Sequence, residues 1–99
     1  MRVIKLDASG WKTPLDFYEA LLLALEAPHW HGRSIDALVD SMVYRRINGI
    51  DAPYRIWMVG TAGLPTDTKA EIDLAVSCIN EQQGIEQEGE FKIEFQIDP

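Results

Sequence analysis

At 99 residues, 46% hydrophobic and 25% charged, the chain has the composition of a folded globular protein, which excludes a disordered or collagen-like polypeptide. The length suffices for one compact core, so we expect a single domain over residues 1–99. The formal net charge of −7 lies after residue 60, where nine acidic residues accompany two lysines, and such a surface disfavours direct binding of nucleic acid.

A strand and a leucine-rich helix are the first predicted elements. Residues 2–7 are rich in apolar side chains, which favours a strand partly covered on both faces. Thr13 followed by Pro14 is typical of a helix start, and we expect this helix to run to about Ala27, because Pro28 ends it. Its apolar residues form more than one stripe, so we expect burial on more than one side. These residues are Leu15, Phe17, Tyr18, Leu21, Leu22, Leu23 and Leu25.

An aromatic loop over residues 28–33 then leads into a second predicted helix. Ser34 is a favourable N-cap for a helix over residues 35–46. Asp36 and Asp40 are four residues apart and therefore share one side of this helix. The apolar side is separate from them and consists of Ile35, Leu38, Val39 and Met42. This segment is predicted to present negative charge beside Trp30.

The remaining predicted elements are a strand, a helix and a strand. Residues 54–60 favour a strand, and a third helix is expected from Thr66 or Thr68 to about Gln83, with a stop at Gly84. The apolar stripe of this helix comprises Ile72, Ala75, Val76 and Ile79. We expect an exposed, mobile acidic connector over residues 86–90. Alternation of apolar and polar residues over 91–97 predicts an edge strand with one face in water.

The order strand, helix, helix, strand, helix, strand favours an α/β fold with a small three-stranded parallel sheet. Cys78 is the only cysteine and cannot form an internal disulfide, which fits a reducing compartment. No leader-like pattern and no apolar run long enough to span a membrane is present in the sequence. We therefore expect a cytoplasmic protein with no membrane partner.

The side chains of the loop and of the second predicted helix are compatible with several chemistries. His29, His31, Asp36 and Asp40 could form a metal site or serve a metal-dependent hydrolase, but no HExxH motif or cysteine pair accompanies them. Ser34 suits a helix cap better than a nucleophile, and no glycine pattern for nucleotide phosphates occurs. We therefore expect no catalytic residues, no metal and no other cofactor. Purely structural roles, helix stabilisation for Asp36 and a solvated helix face for Asp40, remain open.

Pro28, the loop with Trp30, His31 and Gly32, and the sequence IDALVD over residues 35–40 together resemble the barstar family of bacterial ribonuclease inhibitors. In that family a proline ends the first helix, a loop of the form P-x-[YW]-[YFH]-G follows, and the next helix begins [NS]-[LI]-D-A-L-x-D. The matching residues here are Pro28, Trp30, His31, Gly32, Ser34, Ile35, Asp36, Ala37, Leu38 and Asp40. The resemblance is specific over residues 1–60 and looser afterwards. The fold of the family agrees with the topology predicted above.

The resemblance implies an inhibitor or immunity-type protein that binds a basic ribonuclease or related toxin and blocks its active site. Asp40 would stand in for a substrate phosphate, and Asp36 would meet basic groups nearby. Trp30 would supply an aromatic anchor and Gly32 a close backbone approach. The complete expected set of partner-binding residues is Trp30, Gly32, Ser34, Ile35, Asp36, Val39, Asp40, Val43 and Tyr44.

Some positions depart from the resemblance. Val39, Val43 and Arg45 differ from the best-known inhibitor of the family, and the positive charges of Arg33 and Arg45 oppose a basic partner. These differences imply a cognate nuclease other than the one bound by that inhibitor. The alternative hypothesis is a domain of the same fold that binds a non-nuclease protein or a second copy of itself, although we favour a monomer.

Overall fold

The architecture is given by a computed structural model that describes residues 1–86 and 91–99, except for the side chains of residues 85 and 86. The elements are β1 (Arg2–Asp7), α1 (Pro14–Ala24), α2 (Ile35–Val39), a π-helical segment (Asp40–Tyr44), β2 (Tyr54–Val59), α3 (Thr66–Glu86) and β3 (Ile93–Ile97). This order confirms the predicted α/β fold.

The three strands form one parallel sheet with β2 in the centre, so β3 is an edge strand as predicted. Alternate residues of β2, namely Tyr54, Ile56 and Met58, are buried in the core with the apolar side chains of the helices. On the opposite face, Val3 and Lys5 of β1 are exposed. The helices therefore cover one face of the sheet, and the prediction that both faces of β1 are partly covered is wrong.

Helix α1 begins where the sequence predicts it and ends earlier. The Asp16 carboxylate accepts hydrogen bonds from the N–H groups of Lys12 and Thr13 at 2.7 and 3.2 Å, which stabilises the helix start. Ala24 is the last helical residue. Glu26 adopts a left-handed backbone with φ of 55°, and the chain therefore turns before it reaches Pro28.

Most of the apolar residues of α1 face the core, but two do not. Leu15 is 50% exposed and Leu23 is 82% exposed. The prediction of burial on more than one side is therefore wrong for these two leucines. The buried members of the stripe are Phe17, Tyr18, Leu21, Leu22 and Leu25.

Helix α3 has the predicted core stripe but does not stop at Gly84. It continues to Glu86, and Gly84 lacks the left-handed backbone of a glycine that ends a helix. The buried Gln83 amide donates to the Ile93 carbonyl oxygen at 2.7 Å and accepts from the Ile93 N–H at 2.8 Å. These two bonds attach the last turns of α3 to β3. In the apolar stripe, Ile72, Ala75 and Ile79 are buried and Val76 packs against the core.

The predicted acidic connector over residues 86–90 lies outside the described residues, apart from the backbone of Glu86. Within the described residues, none of the helices combines the length and the apolar character that crossing a membrane requires.

Candidate functional site

The second helix changes from α to π geometry at Asp40, although the sequence predicts a continuous α-helix over residues 35–46. The Arg45 N–H donates to the Asp40 carbonyl oxygen at 2.7 Å, an i to i+5 bond. The Asp40 N–H still bonds to the Asp36 carbonyl oxygen, so these two residues keep their predicted α-helical spacing. Short π segments inside α-helices are rare and often occur at functional sites.

Ser34 begins this helix as predicted. Its hydroxyl accepts a hydrogen bond from the Ala37 N–H at 3.1 Å, which satisfies one of the unpaired donors of the first turn. Gly32, two residues earlier, lies against the same turn, since a Cβ at this position would be 3.3 Å from the Ala37 Cβ. The end of the 28–33 loop is therefore fixed closely to the start of α2.

The two aspartates have different electrostatic surroundings. Asp36 is exposed, and its carboxylate makes no ion pair within residues 1–86 and 91–99. The Asp40 side chain is 46% exposed, and its Oδ2 lies 3.3 Å from Nη1 of Arg45. One carboxylate therefore faces water, while the other is partly neutralised within the chain.

A groove of about 350 Å³ separates the second helix from α3. Ile35 and Val39 supply apolar surface on the side of α2, and Cys78 and Gln82 line the opposite side. The Tyr44 hydroxyl donates a hydrogen bond to Oε1 of Gln82 and so links the two sides. The remaining lining residues are the two aspartates, Asp36 and Asp40. The groove thus combines apolar surface with negative charge.

Hydrogen bonds of the buried His31 ring hold the 28–33 loop in place. The ring Nδ1 lies 2.6 Å from the Gly32 carbonyl oxygen, and Nε2 lies 2.6 Å from the Ser41 Oγ. Because a carbonyl oxygen only accepts, Nδ1 carries a proton, and in the neutral ring Nε2 accepts from the Ser41 hydroxyl. Asn48 also donates to Ser41 Oγ, at 3.2 Å. This network, His31 with Ser41 and Asn48, joins the loop to the π segment.

His31 is not free to bind a metal in a metal-dependent hydrolase, because both of its ring nitrogens have hydrogen-bond partners. In the part of the chain that the structure describes, no three His, Cys, Asp or Glu side chains are grouped so that they could hold a metal ion. His29 and the two aspartates therefore do not assemble the proposed ligand set in the described structure.

Arg33 is held by α1 and by its own loop. Its Nε and Nη2 donate to the two carboxylate oxygens of Glu19 at 2.8 and 3.2 Å, and Nη1 donates to the His31 carbonyl oxygen at 3.1 Å. The hydrogen bond from Arg33 lowers the pKa of Glu19, and the same bond raises the pKa of Arg33. The positive charge expected to oppose a basic partner is thus paired with a carboxylate of α1.

The other expected contact residues divide between surface and core. Trp30 is 61% exposed and Tyr44 is 46% exposed, whereas Ile35 and Val39 are half-buried beside the groove. Val43, expected at the border of the binding surface, is fully buried in the core instead. A π turn holds more residues than an α turn, so residues after Asp40 are shifted around the helix relative to a continuous α-helix.

Some site residues were not predicted. Cys78 and Gln82 line the groove from α3. Because they are four residues apart, the sequence could have predicted that they share one side of this helix, next to its core stripe. Glu19 and Asn48, which hold Arg33 and Ser41, have no comparable local signal. Only tertiary packing brings Glu19 to Arg33 and Asn48 to Ser41.

Comparison with known protein families gives one finding for the whole chain. The sequence model of the family described as Barstar (barnase inhibitor) matches residues 1–97. A search of curated proteins finds no match.

Proposed function

Since the chain belongs to the barstar family, we propose that it inhibits a basic ribonuclease or a related toxin by covering the active site with the 28–33 loop and the second helix. In this proposal it is a cytoplasmic immunity-type protein that acts by binding, without catalysis and without a cofactor. The observation that carries the proposal is the pair of accessible carboxylates, Asp36 and Asp40, lining a groove on the helix that follows the loop of the exposed Trp30.

The chemistry of a ribonuclease active site fits these carboxylates. Such a site binds the phosphates of RNA with cationic side chains, and a carboxylate can accept the same charge-assisted hydrogen bonds as a phosphate oxygen. Asp40 would occupy a phosphate position, and Asp36 would meet a second cation nearby. The net charge of −7 would also increase the rate at which a basic protein approaches.

Apolar contact would complete the interface. Trp30 is an exposed aromatic side chain on the loop that precedes the helix of the aspartates, and aromatic side chains are typical anchors in protein interfaces. Ile35 and Val39 add half-buried surface along the groove, and Tyr44 adds exposed surface. Gly32 and Ser34 shape the backbone between the loop and α2. Val43 is left out of the proposed contact set because it is buried.

The test is inhibition of RNA hydrolysis by a panel of purified basic ribonucleases, including barnase and those encoded in the same genome, with affinity measured by calorimetry. We expect Asp40→Ala to weaken binding by about ten- to a hundredfold, since hydrogen bonds to charged groups contribute about 1.5–3 kcal/mol. Asp36→Ala should have a smaller effect in the same direction.

Asp73→Ala is the matched control. Asp73 is an exposed carboxylate on α3 that does not line the groove, and its removal changes the net charge equally. The proposal fails if no ribonuclease in the panel is bound, or if Asp40→Ala and Asp73→Ala have the same effect. A protein partner without a basic cleft would instead support the alternative of a non-nuclease interaction domain.

A further inference from the structure

Arg45 covers the carboxylate on which inhibition would depend. Its Nη1 lies 3.3 Å from the Asp40 Oδ2, and the two side chains are 61% and 46% exposed. We propose that Arg45 is a specificity-determining residue: in the free protein its guanidinium occupies the position that a partner's cation must take at Asp40. The inference rests on the proposed function, because it concerns the same binding surface.

The π segment places Arg45 at this position. In an α-helix, side chains three and four residues apart are neighbours, and a side chain five residues away lies on another side. Here the Arg45 N–H bonds directly to the Asp40 carbonyl oxygen at 2.7 Å. This i to i+5 bond brings residue 45 above residue 40, and the guanidinium can reach the carboxylate. The change from α to π geometry therefore has an electrostatic consequence at the proposed site.

Among the residues that line or border the groove, Arg45 is the cation paired with a groove carboxylate. Arg33, the other arginine beside the loop, donates to Glu19 and to the His31 carbonyl oxygen instead. Asp36 has no ion pair within the described ranges 1–86 and 91–99. A basic partner would thus find Asp36 available and would have to exchange with Arg45 at Asp40.

The ion pair between Arg45 and Asp40 stabilises the free protein and opposes the binding of a partner. Like charges four residues apart destabilise a helix, so Arg45 compensates the repulsion between Asp36 and Asp40 in the free protein. The same contact competes with the partner's cation. Exposed ion pairs are weak, and a nuclease arginine that makes two parallel bonds to the carboxylate can therefore displace Arg45, whereas a single distant lysine cannot. Arg45 would thus discriminate among basic partners.

The experiment compares Arg45→Gln with Arg55→Gln. Arg55 forms a similar ion pair with Glu94 at 3.2 Å on the uncovered face of the sheet. Both variants replace an arginine by glutamine and therefore change the net charge equally. The first probe is a short oligoarginine peptide, titrated by NMR at low ionic strength, because it needs no cognate nuclease. We expect Arg45→Gln to bind it up to about fivefold more tightly than Arg55→Gln, with a smaller difference at high salt.

Two further measurements show whether a negative result contradicts the inference about Arg45 or the proposed function. In an Asp40→Asn background, Arg45→Gln should give no advantage over Arg55→Gln, because the competing carboxylate is neutral. With ribonucleases from the panel as the second probe, loss of binding in Asp40→Asn supports the proposed function independently of Arg45. Equal affinities of Arg45→Gln and Arg55→Gln for the peptide would overturn the inference alone, and so would an advantage that persists in Asp40→Asn. Failure of every ribonuclease to bind would overturn the proposed function.

Discussion

Val39 and Val43 are the same residue type on the same helix, and the structure gives them different surroundings. Val39 is half-buried and lines the groove, whereas Val43 is 0% exposed. Truncating each to alanine removes the same atoms. The pair therefore separates a contribution to the proposed partner surface from a contribution to the core.

We expect Val43→Ala to lower the free energy of unfolding by about 2 kcal/mol, from lost burial and the cavity left behind. Val39→Ala should lower it less and should weaken nuclease binding more. Urea denaturation and calorimetric titration of both variants measure the two quantities. If Val43→Ala proves the milder change in denaturation and the more harmful in binding, the inward orientation of Val43 is wrong.

At the scale of elements, a buried polar network holds the 28–33 loop on the π segment. His31 and Asn48 both meet the Ser41 hydroxyl, and the His31 N–H bonds to the Pro28 carbonyl oxygen at 3.0 Å. Ser41 directly follows Asp40 in the chain. A single serine therefore connects the position of the loop to the position of an aspartate, and the network should order the site before a partner arrives.

Ser41→Ala tests this connection. The change leaves polar groups of His31 and Asn48 without their partner, which should lower the free energy of unfolding by about 1–3 kcal/mol. Amide hydrogen exchange at His31 should also become faster. Ser77→Ala, at an exposed position in the middle of α3, is the control and should change neither quantity. Unaltered exchange at His31 in Ser41→Ala would show that the network does not order the loop.

At the scale of the whole molecule, several carboxylates are stabilised in their charged form by local donors. Hydrogen bonds from N–H groups lower the pKa of Asp7, through Ser9, and of Asp16, through Lys12. The Trp57 indole N–H lowers the pKa of Asp98 in the same way. A carboxyl group with a lowered pKa in the folded state stabilises the fold above its unfolded pKa and loses this contribution as the pH falls through its folded pKa.

We therefore expect Tm to be nearly constant from about pH 7 to about pH 5 and to fall below the ordinary pKa values of 3.8 for aspartate and 4.5 for glutamate. Thermal unfolding followed by circular dichroism across this range measures the effect. Asp16→Asn should reduce the acid dependence relative to the unchanged chain, because it removes one contributing carboxylate. A Tm that stays constant to about pH 2 would contradict the assignment.

Local sequence is sufficient to predict the order of the elements, the starts of α1 and α2, the core stripe of α3 and the α-helical spacing of Asp36 and Asp40. These features depend on caps and on hydrophobic periodicity, which are properties of a few neighbouring residues. The motif from Pro28 to Asp40 is equally local. For this reason the family and the fold are predictable from the residues alone.

The composition of the proposed binding surface depends on tertiary packing. The groove needs α3 beside the second helix, the burial of His31 needs Ser41, and the pairing of Arg33 needs Glu19. The π segment contains the buried Val43 and is followed by Arg45, which pairs with Asp40, and hydrophobic periodicity gives no sign of it. These arrangements are stabilised by contacts between residues that are distant in the chain. Patterns of neighbouring residues therefore cannot predict them.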